Sequence, residues 1–422
     1  MEGKKKVHLF AALITAVFLI FSFSSCKQKG GDSSSSSFSV ENGSGNKYEN
    51  FTKDNEEFFK DGSQVILTKS DVIFFLTSDG EVYGCGNSLY SEFFYSEDKS
   101  ELDNKAMKLP IGEKIEKVMP ANRMVFLYAE TGNVYQINLD SSYPIFNYVG
   151  NENPNNLGLY TEGLPKQIDL SYFNEKIIDI AVSPYEKYAY LTTETGRVYL
   201  YSRREGYKEL SMPEKMKKAL LKEDEGFFLS ETDKLYCLKK GEGETAILVA
   251  EKVSDIEICS GSVYYLSEGK AYGKGAVHNW LSLSEKLGED EAEYTNKFRA
   301  LNLPEKVYDI FYSQYDKSDP NKDGGGIGFL SESGKVYVVC REGDRNNGFK
   351  FFIESVYSVE NIDKATSFVT KQGLLSDRFE YSNFEYAVKY EGEEWKVGCC
   401  TYVNDKPVMQ LIPLSETPEW KN

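Results

Sequence analysis

Phe74-Phe75-Leu76-Thr77-Ser78-Asp79-Gly80-Glu81-Val82-Tyr83 decides the fold: an apolar strand, a polar tight turn, and a second strand opening on an aliphatic-aromatic pair. Glycine reaches the positive φ that such a turn demands, and aromatic and β-branched residues favour the pleated backbone on both sides, so the segment spells a β-hairpin. The pattern recurs. Val125-Phe126-Leu127 runs through Gly132 to Val134-Tyr135, Ala189-Tyr190-Leu191 through Gly196 to Val198-Tyr199, and Phe227-Phe228-Leu229 through Asp233 to Leu235-Tyr236. Tyr264-Tyr265-Leu266 with Gly269 and Ala271-Tyr272, and Gly328-Phe329-Leu330 with Gly334 and Val336-Tyr337, continue the series. A weaker seventh copy joins Tyr386-Ala387-Val388 to Gly392 and Trp395. One hairpin is not stable alone, so these units must share a core.

A further strand precedes most hairpins: Lys114-Ile115 with Val118, Lys176-Ile177 with Ile180, Lys215-Met216 with Ala219, Lys252-Val253 with Ile256, Lys306-Val307 with Ile310, and Ile362 with Ala365. Short apolar pieces ending in proline, such as Leu109-Pro110 and Leu303-Pro304, supply a fourth. Four-stranded units repeated around an axis make a propeller, and the expectation is an all-β, seven-bladed β-propeller over residues 51–422. Spacing between turn residues varies from 36 (Asp233 to Gly269) to 65 (Gly269 to Gly334), so the longer blades carry insertions. The strand-like run Pro407 to Leu414 is expected to close the ring against Val65-Ile66-Leu67, hiding edges that would otherwise pair with other chains.

Gly80-Glu81-Val82-Tyr83-Gly84-Cys85-Gly86-Asn87, the Asn/Gly loop from Asn151 to Gly158, and Ala271-Tyr272-Gly273-Lys274-Gly275 resemble the RCC1 (regulator of chromosome condensation) repeat over roughly residues 60 to 415. Most copies lack that family's tryptophan and its full Gly-Gln-Leu-Gly. The resemblance therefore implies the blade architecture and not the family's nucleotide-exchange role, because function does not travel with fold-determining positions.

The N-terminus carries an address. Lys4, Lys5 and Lys6 precede a largely apolar run from Val7 to Phe23, and Phe23-Ser24-Ser25-Cys26 resembles a bacterial lipobox. Residues 1–25 are expected to be a lipoprotein signal peptide and Cys26 the acylated (palmitate-bearing) N-terminus, with two or three chains holding the protein at a membrane of the cell envelope. Residues 26–50, rich in serine and glycine, form a flexible tether.

The formal charge is −17, and removal of a leader with three lysines and only Glu2 makes it more negative. Such a field repels phosphate backbones, so nucleic acid is not an expected partner. Cys85, Cys237, Cys259, Cys340, Cys399 and Cys400 form an even set in a compartment that permits disulfides, with connectivity open. No CxxC occurs, and beyond the leader the sole histidine is His278, beside Asn279 and Trp280 in a loop without a nucleophile motif. Asp319, Asn321 and Asp323 begin a D-x-N-x-D-G calcium loop, but its twelfth position is Leu330 in place of the bidentate glutamate, so a polar loop is preferred. Gly241-Glu242-Gly243-Glu244 lacks the Lys-Ser/Thr of a phosphate loop. Adjacent strand residues point to opposite faces, so Cys399 and Cys400 are read as packing residues. Tyr294, Phe298 and Leu301 suggest an amphipathic helix in the fifth blade's excursion.

The expectation is a monomeric, membrane-tethered interaction module without cofactor, metal or catalytic residue, contacting a protein or glycan through its loops. The thirty tyrosines suit such a role, though several occupy the repeated core position. The competing classes are a hydrolase with a carboxylate pair at the channel mouth and an envelope-assembly scaffold.

Overall fold

The computed structural model describes residues 55–60, 62–68, 72–85, 105–121, 124–139, 145–149, 164–183, 188–222, 225–239, 245–259, 262–275, 297–301, 303–313, 322–344, 352–359, 362–370, 386–391, 395–398, 401–403, 406–408 and 411–415. The signal, Cys26 and the tether lie outside them, as do Cys399, Cys400, His278, Asp319 and Asn321.

The hairpins form where the repeats place them. Phe74, Phe75 and Leu76 pair with Gly84, Tyr83 and Val82. Gly80, Gly132, Gly196, Gly269 and Gly334 hold φ between +76° and +92°, and Asp233 takes the same left-handed corner at +60°. Gly392 lies outside the described residues.

Four consecutive strands form an antiparallel meander in each of six sheets, spanning in turn residues 64–108, 115–167, 177–210, 216–250, 253–300 and 307–359, and the seventh hairpin builds a three-stranded sheet within residues 365–398. The first strand, Gln64–Leu67, lies beside both the second sheet's Ile115–Ala121 and the last sheet's Ala365–Thr370. Meanders that contact their neighbours in series and return to the first make a β-propeller.

Two expectations are corrected. Among the described residues there are six blades of at least four strands, not seven, five of them with four strands and the sixth with five, and the C-terminal strand Leu411–Ser415 does not pair with Gln64–Leu67. Instead Leu411–Ser415 adds antiparallel to Phe352–Val359 as a fifth strand of blade 6. The physical reason is edge length: Phe352–Val359 has eight residues, whereas the outer strands of the other blades have two to five, so it offers the longest row of unpaired backbone groups.

The core is divided into layers between consecutive sheets. Phe74 and Leu76 pack with Val125 and Leu127 of blade 2, while Phe75, one residue over, faces Trp395 of the last sheet. Met124 and Phe126 turn the other way, toward Ala189 and Leu191 of blade 3. Alternate side chains thus serve opposite neighbours, which is why the hairpin strands read as unbroken apolar runs: both faces are buried.

The i, i+3 spacing of Ile115 and Val118 conflicts with a regular strand, where such residues face opposite ways. A β-bulge resolves it. Register shifts at Glu116, Ile178, Lys217, Ser254, Tyr308 and Thr366 insert one extra residue at the same point of six first strands. Both aliphatic residues of each pair are then buried. In the last sheet the pair is Ala365 and Phe368, not Ile362 and Ala365, because the strand begins only at Ala365.

The helix expected around Tyr294, Phe298 and Leu301 is also corrected where it can be followed. Arg299–Ala300 pairs with Tyr272 and Gly273 as the fourth strand of blade 5, so ladder bonds override the helical spacing. Asp323 belongs to the strand Lys322–Ser331 and lies opposite Gly343, which places the second half of the D-x-N-x-D-G motif in a ladder.

Candidate functional site

The bulges position a chain of charges. The residue after each bulge is Lys117, Asp179, Lys218, Asp255, Asp309 or Ser367. Lys117 Nζ lies 3.5 Å from Asp179 Oδ1 of the next blade and donates to Ile178 O at 3.1 Å. Asp179 Oδ2 accepts the N–H of Ala219 in the blade after that, at 2.8 Å. Lys218 Nζ reaches Asp255 Oδ1 and Ile256 O of blade 5, each at 2.8 Å. Burial raises the Asp179 carboxyl above its ordinary range, with Lys117 opposing the shift. Burial also works against the charge on Lys218, yet the carboxylates of Asp255, Glu257 and Asp179 outweigh it and raise its pKa. Asp309 is raised by burial and by the neighbouring Asp255. Lys117, Asp179, Lys218 and Asp255 thus hold blade to blade. Asp179→Asn keeps an acceptor for Ala219 N–H and sheds a buried charge, so its stability should stay within about 1 kcal/mol of wild type, whereas Asp179→Ala should lose about 1–3 kcal/mol in denaturant unfolding.

A second repeating device sits beside the hairpin turns, and the sequence holds its signal in the glutamate before each Lys-aliphatic pair. Glu113 accepts from Thr131, Asn133 and Tyr135; Glu214 from Thr232 and Tyr236; Glu305 from Ser333 and Tyr337. Blade 3 varies the theme, with Glu175 held by Thr195 and Arg197. The tyrosine is therefore fixed by its hydroxyl as well as its ring.

Hydrogen bonds from Thr131 and Thr232 hold the Glu113 and Glu214 carboxyls below their usual range; at Glu305 burial opposes the bonds from Tyr337 and Ser333, and the net shift is again downward. Tyr135 is pushed up to about 12 by burial and Glu113, and Tyr236 to about 12 by its bond to Glu214. The signs give opposite limbs. The carboxylates contribute stability that is present above the unfolded value of 4.5 and lost as pH falls through their lower folded values. The tyrosines contribute stability that is full below 10 and lost as pH rises toward about 12. Urea midpoints measured across pH should fall on both limbs, and Glu214→Gln should flatten the acid one.

An open cleft of about 750 Å³ lies where the blade 6 turn meets the last sheet, lined by Tyr308, Glu332, Ser333, Asp363, Thr366, Tyr390 and Glu391 among others. Tyr308, the bulged residue of its strand, is 47% exposed, which leaves much of its ring to solvent. Burial raises the pKa of its hydroxyl, with Asp309 adding to the shift. Tyr390 and Glu391 come from the last hairpin, and Asp363 precedes its first strand. Two aromatic side chains, three carboxylates and two hydroxyls thus share one cleft, joined by folding from four separate stretches of chain.

Of the cysteines, Cys85 and Cys237 are buried, and burial pushes the Cys85 thiol up to about 12. Cys259 and Cys340 lie in the strands Val253–Cys259 and Val336–Asp344. Among the described residues no cluster of three or more metal-ligating side chains occurs, and no helix is long and apolar enough to cross a membrane.

No family model and no curated protein matches the chain. Solved structures similar to it include yeast RCC1 (Prp20) bound to Kap60, at 14% identity over 65% of this chain and 70% of that one, with a TM-score of 0.45. BBS1N in complex with ARL6DN is similar at 10% identity over 80% and 90% of the two chains, with a TM-score of 0.44. The Pan2 WD40 domain of Neurospora crassa is similar at 7% over 79% and 87%, with a TM-score of 0.41. Likeness at this level bears on neither ligand nor activity, and the propeller assignment stands on the sheets themselves.

Proposed function

We propose that the chain is a lipoprotein anchored through Cys26 to a membrane of the cell envelope, and that its propeller is a non-enzymatic binding module whose ligand, a protein or a glycan, seats in the cleft between blade 6 and the last sheet. The cleft carries this reading. Tyrosine rings present apolar faces beside hydroxyls and carboxylates that can hydrogen-bond, a combination suited to recognition, and a propeller frame presents it with little loss of entropy on binding. The chain of charges and the Glu–Tyr clamps hold the blades together, whereas Glu332, Asp363 and Glu391 at this cleft are exposed to solvent.

Two measurements test the proposal separately. Cys26→Ala should abolish incorporation of labelled palmitate and move the protein from the membrane to the soluble fraction; continued membrane retention would overturn the anchor. Tyr308→Ala with Tyr390→Ala should lower capture of the ligand from detergent-extracted envelopes and from an immobilised glycan panel by at least 10-fold in protein that circular dichroism shows to be folded. Undiminished capture by both routes would remove the cleft from the reading.

A further inference from the structure

Five of the six blades have protected outer edges. Met107–Lys108, Lys166–Gln167 and Arg299–Ala300 are two residues long; Gly206–Leu210 carries exposed Lys208 and Glu209; and Phe352–Val359 is covered by Leu411–Ser415. Shortness, charge and cover are the ordinary means by which a row of unpaired N–H and C=O groups is kept from recruiting another strand. Among the described residues blade 4 uses none of these three, and the one irregularity of its edge ladder is a bulge at Val249. Its outer strand, Ile247–Ala250, is an uncharged Ile-Leu-Val-Ala whose ladder runs on one side, to Leu235–Cys237. Ile247 is 66% and Leu248 47% exposed, while Val249 and Ala250 supply the contact with the layer between blades 4 and 5. The two exposed residues are therefore surplus to the core.

We propose that this edge docks an extended segment of a partner protein, aliphatic at its centre and bearing lysine or arginine at its ends, which adds as a fifth strand. The chain itself displays the mode: Leu411-Ile412-Pro413-Leu414-Ser415 lies antiparallel on the outer strand of blade 6. Charge selects the partner. Lys252 Nζ is bonded to Glu268 at 2.6 Å and Lys239 Nζ lies 3.8 Å from Glu225, so the cations flanking the edge are engaged. Glu251, the residue after the strand, is exposed, in a chain of net charge −17. A basic segment would meet this carboxylate and the negative field of the chain, whereas a second copy would bring together two chains that each carry −17. Main-chain bonds supply affinity in such strand addition, and alternate side chains supply selectivity. The edge is independent of the cleft, so either can fail alone.

The probe is a fluorescein-labelled peptide, Arg-Lys-Ile-Thr-Val-Thr-Leu-Lys, titrated with the full-length protein in detergent and followed by anisotropy. Saturable binding is expected, weakened at least 10-fold by Leu248→Lys, by N-methylation of the central valine, and by glutamate in place of the basic ends. Ile247→Lys provides the same test should Leu248→Lys unfold. Equal binding by the lysine variants, or by the acid-ended peptide, would overturn the proposal. So would sedimentation showing a wild-type dimer that Leu248→Lys dissolves, since the occupant would then be a second copy.

Discussion

Gly196→Val is expected to destabilise the protein by about 3 kcal/mol or more, among the largest effects of any single substitution outside the aromatic core. Two costs combine. Gly196 holds φ +81°, and a β-branched residue in the left-handed region is strained by roughly 1–2 kcal/mol or more. A Cβ there would also stand 2.5 Å from Lys215 Cβ and 2.8 Å from Lys215 Cα, at the point where blade 3 hands over to blade 4. The handover is a backbone bond, Met216 N–H to Gly196 O at 2.9 Å, and the same bond recurs from Ile115 to Gly80, from Val253 to Asp233 and from Val307 to Gly269. Pushing Lys215 aside stretches it. Gly206, at φ +71° with nothing within 4 Å of its notional Cβ, isolates the conformational cost, so Gly206→Ala should lose only about 1–2 kcal/mol. Urea unfolding of the two variants separates the costs; equal losses would show that the contact with Lys215 carries no weight.

That contact explains which parts of the fold are legible in the sequence. A turn glycine is visible because its φ is a local demand, and Gly80 through Gly334 all fall where the pattern of strand, turn and aliphatic-aromatic pair puts them. The Ile115–Val118 spacing is equally visible, but the bulge that lets it work is not, because a register shift exists only relative to a partner strand. The Glu–Tyr clamp could have been read: glutamate stands before lysine at 113, 175, 214, 251 and 305, and a repeated acid beside a repeated phenol is a pairing signal. The cleft could not. Tyr308, Glu332, Asp363 and Tyr390 are separated by 24 to 31 residues at each step, and only the order of the sheets brings them together. The destination of the C-terminal strand failed for the same reason, since the competition between Gln64–Leu67 and Phe352–Val359 is decided by distant edge lengths.

Trp395→Ala should be among the most disruptive changes in the chain, costing about 3–5 kcal/mol, because it removes a large buried side chain through which the last sheet packs on the first. Trp395 is buried among Phe58, Phe59, Val65, Ile73 and Phe75, which join the short helix Glu56–Lys60 and blade 1 into one layer. Phe58 stacks on Phe75 at 4.8 Å between ring centroids, and Phe59 meets Phe75 edge-on at 5.5 Å, so losing the indole leaves a cavity in an aromatic cluster whose other members are fixed by one another. A ring gains its cohesion from having no free end, and a defect at this junction should therefore lower the unfolding m-value as well as the midpoint, as the first and last sheets fray before the rest. Deleting residues 409–422 gives the contrast. If Leu411–Ser415 serves blade 6 alone, the truncated protein should keep the m-value of wild type and lose only the increment of one added strand. A truncation that reproduces the Trp395→Ala profile would instead return the closure of the ring to the C-terminal strand.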